Sequence, residues 1–512
     1  MIAAGRSAST SAQERAAPRP ILAVLGLATL LGACALPPIA KLPGTTPTST
    51  SDHVAGRLLV GYYPGTSSRQ RSMARTLGQA RSVSAILADD EEWTLPAGVS
   101  PRAVASRLGH DPAIRFAQLD FIRHLDSYSA SEYTQDPTVL WQLGLLDISA
   151  AWNVSQPAGW RTFSTASPPG EGVLVAVVDS GIDVRHPDLA ANIARDAAGN
   201  IRFFDEIAAE GQHDIWVPPT GPTLDFDWAT AYGASSCPAG DSCPGPDGNG
   251  HGTHVAGILA AVGNNSPDVA CSEAPCNTVG VAPGATILPV KTMRADGSGD
   301  DATIARGLRD AVNAGARVIN LSVGGPEPSP LLADAMAYDM AKGALLVVAS
   351  GNDGLAVNYP AAYAGAVAVG AIGDPADPAY PMAMADGAPY SSHGPQLALV
   401  APGGSATSDC PEARCGVYST VPTYPSYVTL TGKVGSTGYG RLTGTSMATP
   451  MVSGVAAMIL AREPDLTPAQ LRERLIADTR PVPGTSRGFS DEYGYGLVDP
   501  AKAMTQVSPD GS

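Results

Sequence analysis

Four short apolar runs, separated by helical segments, limit what most of this 512-residue chain can fold into. The runs are residues 173–178, 287–290, 318–321 and 345–349, and their residues are mostly apolar. Apolar runs without polar alternation are typical of strands that are buried on both faces of a sheet. The helical segments between them are residues 251–262, 302–314 and 331–342. This alternation predicts an α/β fold, with a mostly parallel central sheet and helices on both faces.

Polar residues follow two of these apolar runs. Asp179 comes directly after the run 173–178, and Asn352 follows the run 345–349. In parallel sheets, functional groups collect at the carboxyl ends of the strands. A carboxylate there can hold an imidazole in one tautomer, and an Asn amide can donate to an oxyanion. Taken alone, each residue is better explained as the start of an ordinary turn.

Two histidines, His251 and His254, begin the helical segment 251–262 within the sequence DGNGHGTHVAG. Small residues surround His251, so a substrate backbone can approach it closely. The pair could instead bind a metal, but no Glu, Asp or Cys on the same helix supplies a third ligand. We therefore predict that His251 is a general base and that His254 is a packed residue behind it.

Ser446 lies in GTSMATP (444–450), at the start of an apolar helical segment over 447–460. Helix N–H groups and the positive end of the helix dipole converge there, which suits developing negative charge. A serine in this place is also typical of an N-cap.

Together these residues supply the parts for acyl transfer. Ser446 attacks, His251 takes and returns the proton, and Asp179 orients His251. Asn352 and the Ser446 N–H bind the oxyanion.

The motifs DSGID (179–183), HGTHVAG (251–257) and GTSMATP resemble the three active-site motifs of the subtilisin-like serine proteases, the subtilases. The resemblance continues through GVAPGATILPVK, VINLSVGG, ASGNDG, YSSHGP and LVAPGG, and it spans about residues 135–505. It implies a secreted or lipid-anchored serine endopeptidase that acts on proteins or peptides through an acyl-enzyme. A catalytically silent scaffold and a peptide ligase on the same fold are the alternatives.

The resemblance also assigns substrate-binding residues. Ser322, Val323 and Gly324 are expected to form an extended edge that pairs with the substrate backbone. Gly351 and Asn358 are expected in the pocket for the residue before the scissile bond. Because Asn358 is neutral, the resemblance implies broad cleavage with a preference for apolar or aromatic residues at that position.

The chemistry requires no cofactor, but structural calcium is common in the family. Asp188 matches one calcium ligand, and the others should come from the loop over 264–280. That loop departs from the family pattern. Residues 201–250 and 263–279 are Gly-, Pro- and Asp-rich, and we expect them to be surface insertions.

Six of the seven cysteines fall into close pairs. These are Cys237 and Cys243, Cys271 and Cys276, and Cys410 and Cys415. None of the pairs has the CxxC spacing of a zinc site, and of the many connectivities three local disulfides are the most economical. Disulfides imply an oxidising compartment.

The first 34 residues resemble a bacterial lipoprotein signal peptide. The apolar run 21–33 is too short to span a bilayer and has the length of a signal h-region. It ends in LGAC, which resembles a lipobox in which Cys34 is lipidated; an ordinary signal peptide with an incidental cysteine is the alternative. Residues 35–52 are rich in Pro, Thr and Ser, and we predict a linker there.

Residues 53–130 are predicted to be a small α+β domain before the main sheet. Strands are expected near 57–63, 93–95 and 111–125, and helices over 67–77 and 100–108. The segment resembles, more weakly, the ferredoxin-like inhibitor propeptide of the family. This resemblance implies a zymogen whose own propeptide is a partner and is removed autocatalytically. It leaves a catalytic domain over 131–505 and a tail over 506–512.

Charge is unevenly distributed along the chain. Residues 1–130 carry a net charge of +4 and the remainder −20, so that the whole chain carries −16. A strongly acidic body is a poor partner for nucleic acid or anionic lipid, whereas a basic N-terminal part can dock onto it. We therefore predict no nucleic-acid partner and membrane contact only through a lipid anchor. The protein is expected to be exported, either extracellular or attached to the outer membrane or cell envelope of a bacterium.

Overall fold

The structure, a computed structural model, describes most of the chain from residue 53 onward. The described ranges are 53–125, 140–152, 168–209, 214–216, 224–225, 246–262, 278–373, 388–405, 415–435 and 438–505. The predicted signal peptide, linker and tail lie outside these ranges, as do Cys34, Cys237, Cys243, Cys271, Cys276 and Cys410. In the described part of the chain, no helix is long and apolar enough to cross a membrane.

The first part of the structure is an N-terminal module formed by residues 53–125. Its elements are β1 (His53–Tyr62), α1 (Ser68–Gly78), β2 (Ser82–Ala85), β3 (Asp90–Thr94), α2 (Pro101–Leu108) and β4 (Ile114–Leu125). The strands are antiparallel in the order β4-β1-β3-β2, which is the predicted ferredoxin-like arrangement. The sequence analysis missed β2, because its four residues are all exposed and give no burial pattern.

Local signals explain both helices of the module. The side chain of Ser100 caps α2 by accepting a hydrogen bond from the N–H of Ala103, and Pro101 occupies the first helical position. Ser67 and Gln70 form a capping box at the start of α1. One small cluster of buried apolar side chains forms the module's own core. Its members are Leu58, Val60, Tyr62, Ala74, Trp93, Leu95, Val104, Leu108 and Ile114.

The second part is a C-terminal domain formed by the described residues of 140–505. Its strands are β5 (Leu174–Asp179), β6 (Phe204–Asp205), β7 (Ile215–Trp216), β8 (Leu224–Asp225), β9 (Thr286–Lys291), β10 (Ser298–Asp300), β11 (Val318–Leu321), β12 (Val323–Gly324), β13 (Leu345–Ala349), β14 (Val367–Ile372), β15 (Leu399–Pro402), β16 (Val417–Thr420) and β17 (Tyr439–Leu442). Its helices are α3 (Trp141–Leu145), α4 (Ile148–Trp152), α5 (Glu206–Ala209), α6 (His251–Ala260), α7 (Asp301–Asn313), α8 (Pro330–Lys342), α9 (Tyr427–Leu430), α10 (Thr445–Arg462), α11 (Pro468–Ala477) and α12 (Pro500–Thr505).

Seven strands form the central sheet in the order β15-β14-β13-β11-β5-β9-β6, and every neighbouring pair is parallel. All residues of β11, β13, β14 and β15 are buried, so both faces of the sheet are covered. Helices α6 and α10 pack together, as do α7 and α8. The predicted α/β fold with a mostly parallel sheet is confirmed, although β14 and β15 were not predicted.

The expectation that residues 201–250 are a surface insertion is wrong for the start of this segment. β6 extends the central sheet beside β9. Asp214 is buried and lies 2.7 Å from the Nζ of Lys291, which belongs to β9. A two-residue strand is too short for the alternation of side chains to be visible in the sequence, so the pattern concealed it.

β4 also pairs with strands of the C-terminal domain. Its last residues pair antiparallel with β10, where Arg123 faces Gly299, and with β12, where His124 faces Gly324 and Leu125 faces Val323. The end of the N-terminal module is therefore the middle strand between β10 and β12. We call the space between these two strands the cleft.

Candidate active site

Asp179 and His251 meet at one edge of the central sheet. Asp179 is the last residue of β5, and His251 is the first residue of α6. The Nδ1 of His251 lies 2.8 Å from the Oδ1 of Asp179, and both side chains are buried. Because a carboxylate can only accept, Nδ1 carries the proton and Nε2 keeps its lone pair. That Nε2 is buried and has no hydrogen-bond partner among the described residues.

Asp247 fixes the loop that leads into α6. Its carboxylate accepts hydrogen bonds from the N–H groups of Gly250 and Thr253, both at 2.8 Å, and from the hydroxyl of Ser180 at 2.8 Å. Burial raises the pKa of Asp247, while the hydroxyl of Thr253 opposes this shift. Sequence reasoning missed this residue, whose signal was an acid four positions before His251.

Ser446 occupies the first turn of α10, which begins two residues earlier than predicted. No side chain caps this helix, so the N-cap interpretation of Ser446 is not supported. Its hydroxyl instead donates to the backbone oxygen of Ser322 at 3.0 Å, and the hydroxyl of Ser322 donates to the backbone oxygen of Ser446 at 3.1 Å. Pro450 has no N–H for the Ser446 carbonyl. The hydroxyl of Ser322 supplies the donor that Pro450 lacks.

Asn352 follows β13 and is held by the residue before the serine. Its Oδ1 accepts hydrogen bonds from the N–H and the hydroxyl of Thr445, at 2.9 and 3.0 Å. These bonds identify the other end of the amide, Nδ2, as the donor. Asn352 and the helix-start N–H of Ser446 therefore lie beside one another, as an oxyanion site requires.

These contacts bring the predicted residues together in pairs. Asp179 is bonded to His251, Asn352 to Thr445, and Ser446 to Ser322. In the described part of the chain, the hydroxyl of Ser446 donates to the backbone oxygen of Ser322 and does not donate to the Nε2 of His251. The helices that begin at these two residues, α10 and α6, pack against each other.

His254 is a packed residue, in agreement with the sequence analysis. Its Nε2 lies 3.1 Å from the backbone oxygen of Val417 and 3.3 Å from that of Gly440, so it donates to the β16–β17 hairpin. Burial, and then the nearby His251, lower the pKa of His254 to about 3. Within the described ranges no three His, Cys, Asp or Glu side chains are grouped closely enough to bind a metal ion.

The predicted pocket residues Gly351 and Asn358 are neighbours. Gly351 has a φ of 110°, and a Cβ on it would lie 2.4 Å from the Nδ2 of Asn358. Only glycine therefore leaves room for the Asn358 amide. Val323 and Gly324 form β12 and pair with β4, and Ser322 lies directly before them.

One of the two carboxylate oxygens of Asp188, Oδ2, is already occupied by hydrogen-bond donors and is not open to calcium. Its Oδ2 accepts hydrogen bonds from the N–H of Thr278 and the hydroxyl of Tyr439, both at 2.9 Å. Protein donors thus already satisfy this oxygen, and most of the loop expected to complete the site lies outside the described residues. Calcium binding stays a prediction, and no catalytic step depends on it.

Charged contacts between the module and the C-terminal domain are the second feature that sequence reasoning missed. The Nε of Arg123 lies 2.7 Å from the Oδ1 of Asp301, and the Nη1 of Arg306 lies 2.8 Å from the Oε2 of Glu92. Arg115 contacts Asp334 in the same way. The partners are far apart in the chain, so no local motif marks them; the only signal was the basic N-terminal part beside an acidic body.

Comparisons with known proteins agree with this geometry. The model of the subtilase family, peptidase S8, matches residues 170–496. An alkaline protease of Alkalihalobacillus alcalophilus is 33% identical over 473 residues, which cover 90% of this chain and 93% of that protein. Subtilisin Savinase of Lederbergia lenta is 37% identical over 362 residues, which cover 70% of this chain and 99% of that protein.

A solved structure shows the same fold. Fervidolysin from Fervidobacterium pennivorans, described as a keratinolytic enzyme related to subtilisin, matches with a TM-score of 0.61 and 23% identity. The match covers 90% of this chain and 62% of that chain. At this identity the likeness is evidence of fold alone.

Proposed function

The chain belongs to the subtilase family and is a serine endopeptidase, and from this premise we propose that it is made as an exported zymogen that processes itself. The observation that carries the proposal is the position of β4, which lies in the cleft between β10 and β12. A strand paired on both edges occupies the place that an extended substrate would take. The N-terminal module then acts as an inhibitory propeptide.

We assign the chemistry to the cluster at the sheet edge. The Oγ of Ser446 attacks the substrate carbonyl carbon, after rotating from Ser322 towards the open Nε2 of His251, which takes the proton. Asp179 holds the imidazole in the required tautomer and stabilises its charge. The Nδ2 of Asn352 and the N–H of Ser446 donate to the oxyanion. His251 then protonates the leaving amine, and water hydrolyses the acyl-enzyme by the same steps.

Both assignments are tested by one comparison of full-length proteins. Wild type, Ser446→Ala and a control, Ser486→Ala at an exposed position, are treated with a fluorophosphonate and analysed by intact mass. We expect wild type and the control to be labelled and to lose the N-terminal module. Ser446→Ala should stay unlabelled and full-length.

Two results would overturn different parts of the proposal, namely the peptidase activity and the self-processing. Wild type that neither reacts with the fluorophosphonate nor cleaves casein would indicate a silent scaffold. Processing that continues unchanged in Ser446→Ala would mean that another protease removes the module. Product masses also separate hydrolysis from peptide ligation, since ligation joins fragments and adds no water.

The finer predictions belong to the same proposal. We propose a signal peptide over 1–34 with lipidation at Cys34, a linker over 35–52, and export to the cell envelope or beyond. Three local disulfides belong to the proposal and are supported by the close spacing of the three cysteine pairs in the chain. Gly351 and Asn358 form a neutral pocket, which favours apolar or aromatic residues before the scissile bond.

Lipidation has a consequence that can be measured. If Cys34 carries the lipid, cleavage after the module leaves the anchor on the module and releases the C-terminal domain. Mass spectrometry of the membrane fraction should find acylated N-terminal fragments, and Cys34→Ser should abolish them. An acylated full-length chain as the stable membrane species of wild type would contradict this release.

A further inference from the structure

Arg123 is the one arginine of β4 that lies within the cleft, and it is almost entirely enclosed. Its side chain is 1% exposed, and its backbone faces Gly299 of β10. The guanidinium contacts Asp301 through two bonds, from Nε to Oδ1 at 2.7 Å and from Nη2 to Oδ2 at 3.3 Å. This paired geometry matches the planar fork of arginine to the two oxygens of a carboxylate.

The surroundings of Arg123 have the features of a built subsite. Asp301 begins α7 and is itself buried, with a side-chain exposure of 0%. Burial raises the pKa of Asp301, and Arg123 opposes this rise. On another wall, a Cβ at Gly325 would lie 2.9 Å from the Nη1 of Arg123, so the glycine leaves room for the guanidinium. The subsite therefore combines one buried carboxylate with space for one flat cation.

The strand register relates this subsite to the nucleophile. His124 faces Gly324 and Leu125 faces Val323, so a substrate in the same register places its next residue opposite Ser322. The backbone oxygen of Ser322 accepts the hydroxyl of Ser446 at 3.0 Å. That next residue is therefore the one whose carbonyl carbon Ser446 reaches, which is the P1 residue. Counting back three residues, the position of Arg123 is P4.

We propose that Asp301 determines specificity by selecting arginine at P4 of the substrate, an inference that rests on the proposed function because it reads β4 as a substrate-like strand. An apolar or acidic P4 side chain would leave the Asp301 carboxylate without its cation in an enclosed place, which is unfavourable. Lysine offers one point charge in place of the two parallel bonds, so it should rank below arginine.

The inference makes the enzyme selective at two positions of different character. The pocket of Gly351 and Asn358 is neutral, whereas the Asp301 subsite is acidic. Substrates would be extended segments that carry an arginine three residues before the P1 residue, and in the chain's own segment that P1 position is Asp126.

The test uses the active enzyme obtained by incubating the full-length chain. Fluorogenic peptides differ only at P4, with Arg, Lys, Gln, Ala or Glu in that position. We expect kcat/KM to be about 10²-fold higher for Arg than for Ala, intermediate for Lys, and lowest for Glu. In Asp301→Asn the ratio of kcat/KM for the Arg peptide to kcat/KM for the Ala peptide should fall below threefold. Asp296→Asn, which removes an exposed carboxylate from the preceding loop, should keep the wild-type preference.

The outcomes separate this inference from the proposed function. Equal kcat/KM values for the Arg and Ala peptides in wild type would overturn the inference, and Arg123–Asp301 would then serve only to dock the module. A wild-type protein that cleaves none of the peptides and is not labelled by a fluorophosphonate would overturn the proposed function itself. Because the wild-type peptide series needs no variant, a poorly folding Asp301→Asn protein does not prevent the decision.

Discussion

The N-terminal module and the C-terminal domain are stabilised by different interactions. The C-terminal domain has one continuous apolar core that runs through the central sheet, and the module places only two buried side chains in it, Leu59 and Ile86. The remaining contacts of the module with that domain include ion pairs formed by Arg115, Arg123 and Glu92. Polar interfaces of this kind are typical of partners that separate, whereas a shared apolar core is typical of parts that do not.

The active site belongs to the C-terminal domain, which is the permanent part of the molecule; the N-terminal module is the separable part. Asp179, His251 and Ser446 are all buried, and they are positioned by hydrogen bonds within the C-terminal domain. Removing a catalytic group should therefore change the chemistry and leave docking of the module intact. Removing an interface charge should change docking of the module and leave the chemistry intact.

The largest effect is expected for Asp179→Asn. An Asn amide does not select the His251 tautomer or stabilise its charge, so kcat should fall about 10⁴-fold. Steady-state hydrolysis of a peptide, by enzyme whose module has been removed by a second protease, measures this change. Asp196→Asn, at an exposed position, is the matched control. A loss of less than tenfold would mean that Asp179 does not orient His251 during catalysis.

The second prediction concerns Arg57→Gln, which should weaken docking of the module and leave the chemistry unchanged. The Nη1 of Arg57 lies 3.6 Å from Asp120 of the module and 3.7 Å from Asp300 of the C-terminal domain. Without this cation the two buried carboxylates repel each other, and the cleaved module should leave about 10²-fold faster.

The measurement for Arg57→Gln is the lag between cleavage, followed by mass, and the appearance of peptidase activity. Arg69→Gln removes an exposed charge from α1 and should keep the wild-type lag. An altered kcat after the lag would show that the interface and the catalytic site are coupled, contrary to the comparison above.

The third prediction is that docking depends on pH. Burial, and then the Asp334 carboxylate across the interface, raise the pKa of Asp90 from 3.8 to about 7, although Arg115 opposes the rise. The docked state therefore binds a proton that the separated module releases. Docking should be strongest near pH 4, weaken as the pH rises towards 7, and change little above it.

This dependence is read from the activation lag between about pH 5 and pH 8, which should shorten roughly tenfold as the pH rises. Asp334→Asn removes the repelling charge, so its profile should be flatter than that of wild type. Asp465→Asn, at an exposed position between α10 and α11, is the control. Identical profiles for wild type and Asp334→Asn would indicate that other groups control docking.

The sequence predicted the permanent part better than the separable part. β13 is a continuous apolar run, and β11 is apolar apart from Asn320. Asp179 and Asn352 follow strands of this kind and His251 begins a helix, so their common edge could be inferred. Ser446 was placed by its helix start in the same way. These signals are local, because each depends on a few neighbouring residues.

The separable part depends on pairs that no local pattern reveals. Arg123 and Asp301 are 178 positions apart, and neither lies in a motif. Their contact exists only because β4 enters the cleft between β10 and β12. The two-residue strand β6 was equally invisible, since alternation needs more residues than it has, whereas the edge at Val323 and Gly324 was expected only from the family resemblance. The reciprocal bonds of Ser322 with Ser446 follow from Pro450, and only the coordinates reveal that consequence.

The smallest effect is expected inside the C-terminal domain, at Asp339 of α8. The side chain is buried, and neither carboxylate oxygen has a hydrogen-bond partner among the described residues. Burial raises its pKa from 3.8 to about 8. Below about pH 4 the group is protonated whether the chain is folded or unfolded. Between about pH 4 and pH 8 the folded state must retain a proton that the unfolded state releases, so stability falls as the pH rises.

Asp339→Asn should remove this dependence. In a Ser446→Ala background, which prevents self-digestion, we expect the free energy of unfolding to rise by about 1–3 kcal/mol at pH 8 and to be unchanged near pH 4. Urea titrations at the two pH values measure both quantities, and the exposed Asp465→Asn serves again as the control. Parallel pH curves for the variant and its parent would mean that Asp339 is solvated. The result sharpens the comparison between the C-terminal domain and the module. The carboxylate of Asp339 destabilises the C-terminal domain, whereas ion-paired carboxylates at the interface attach the module.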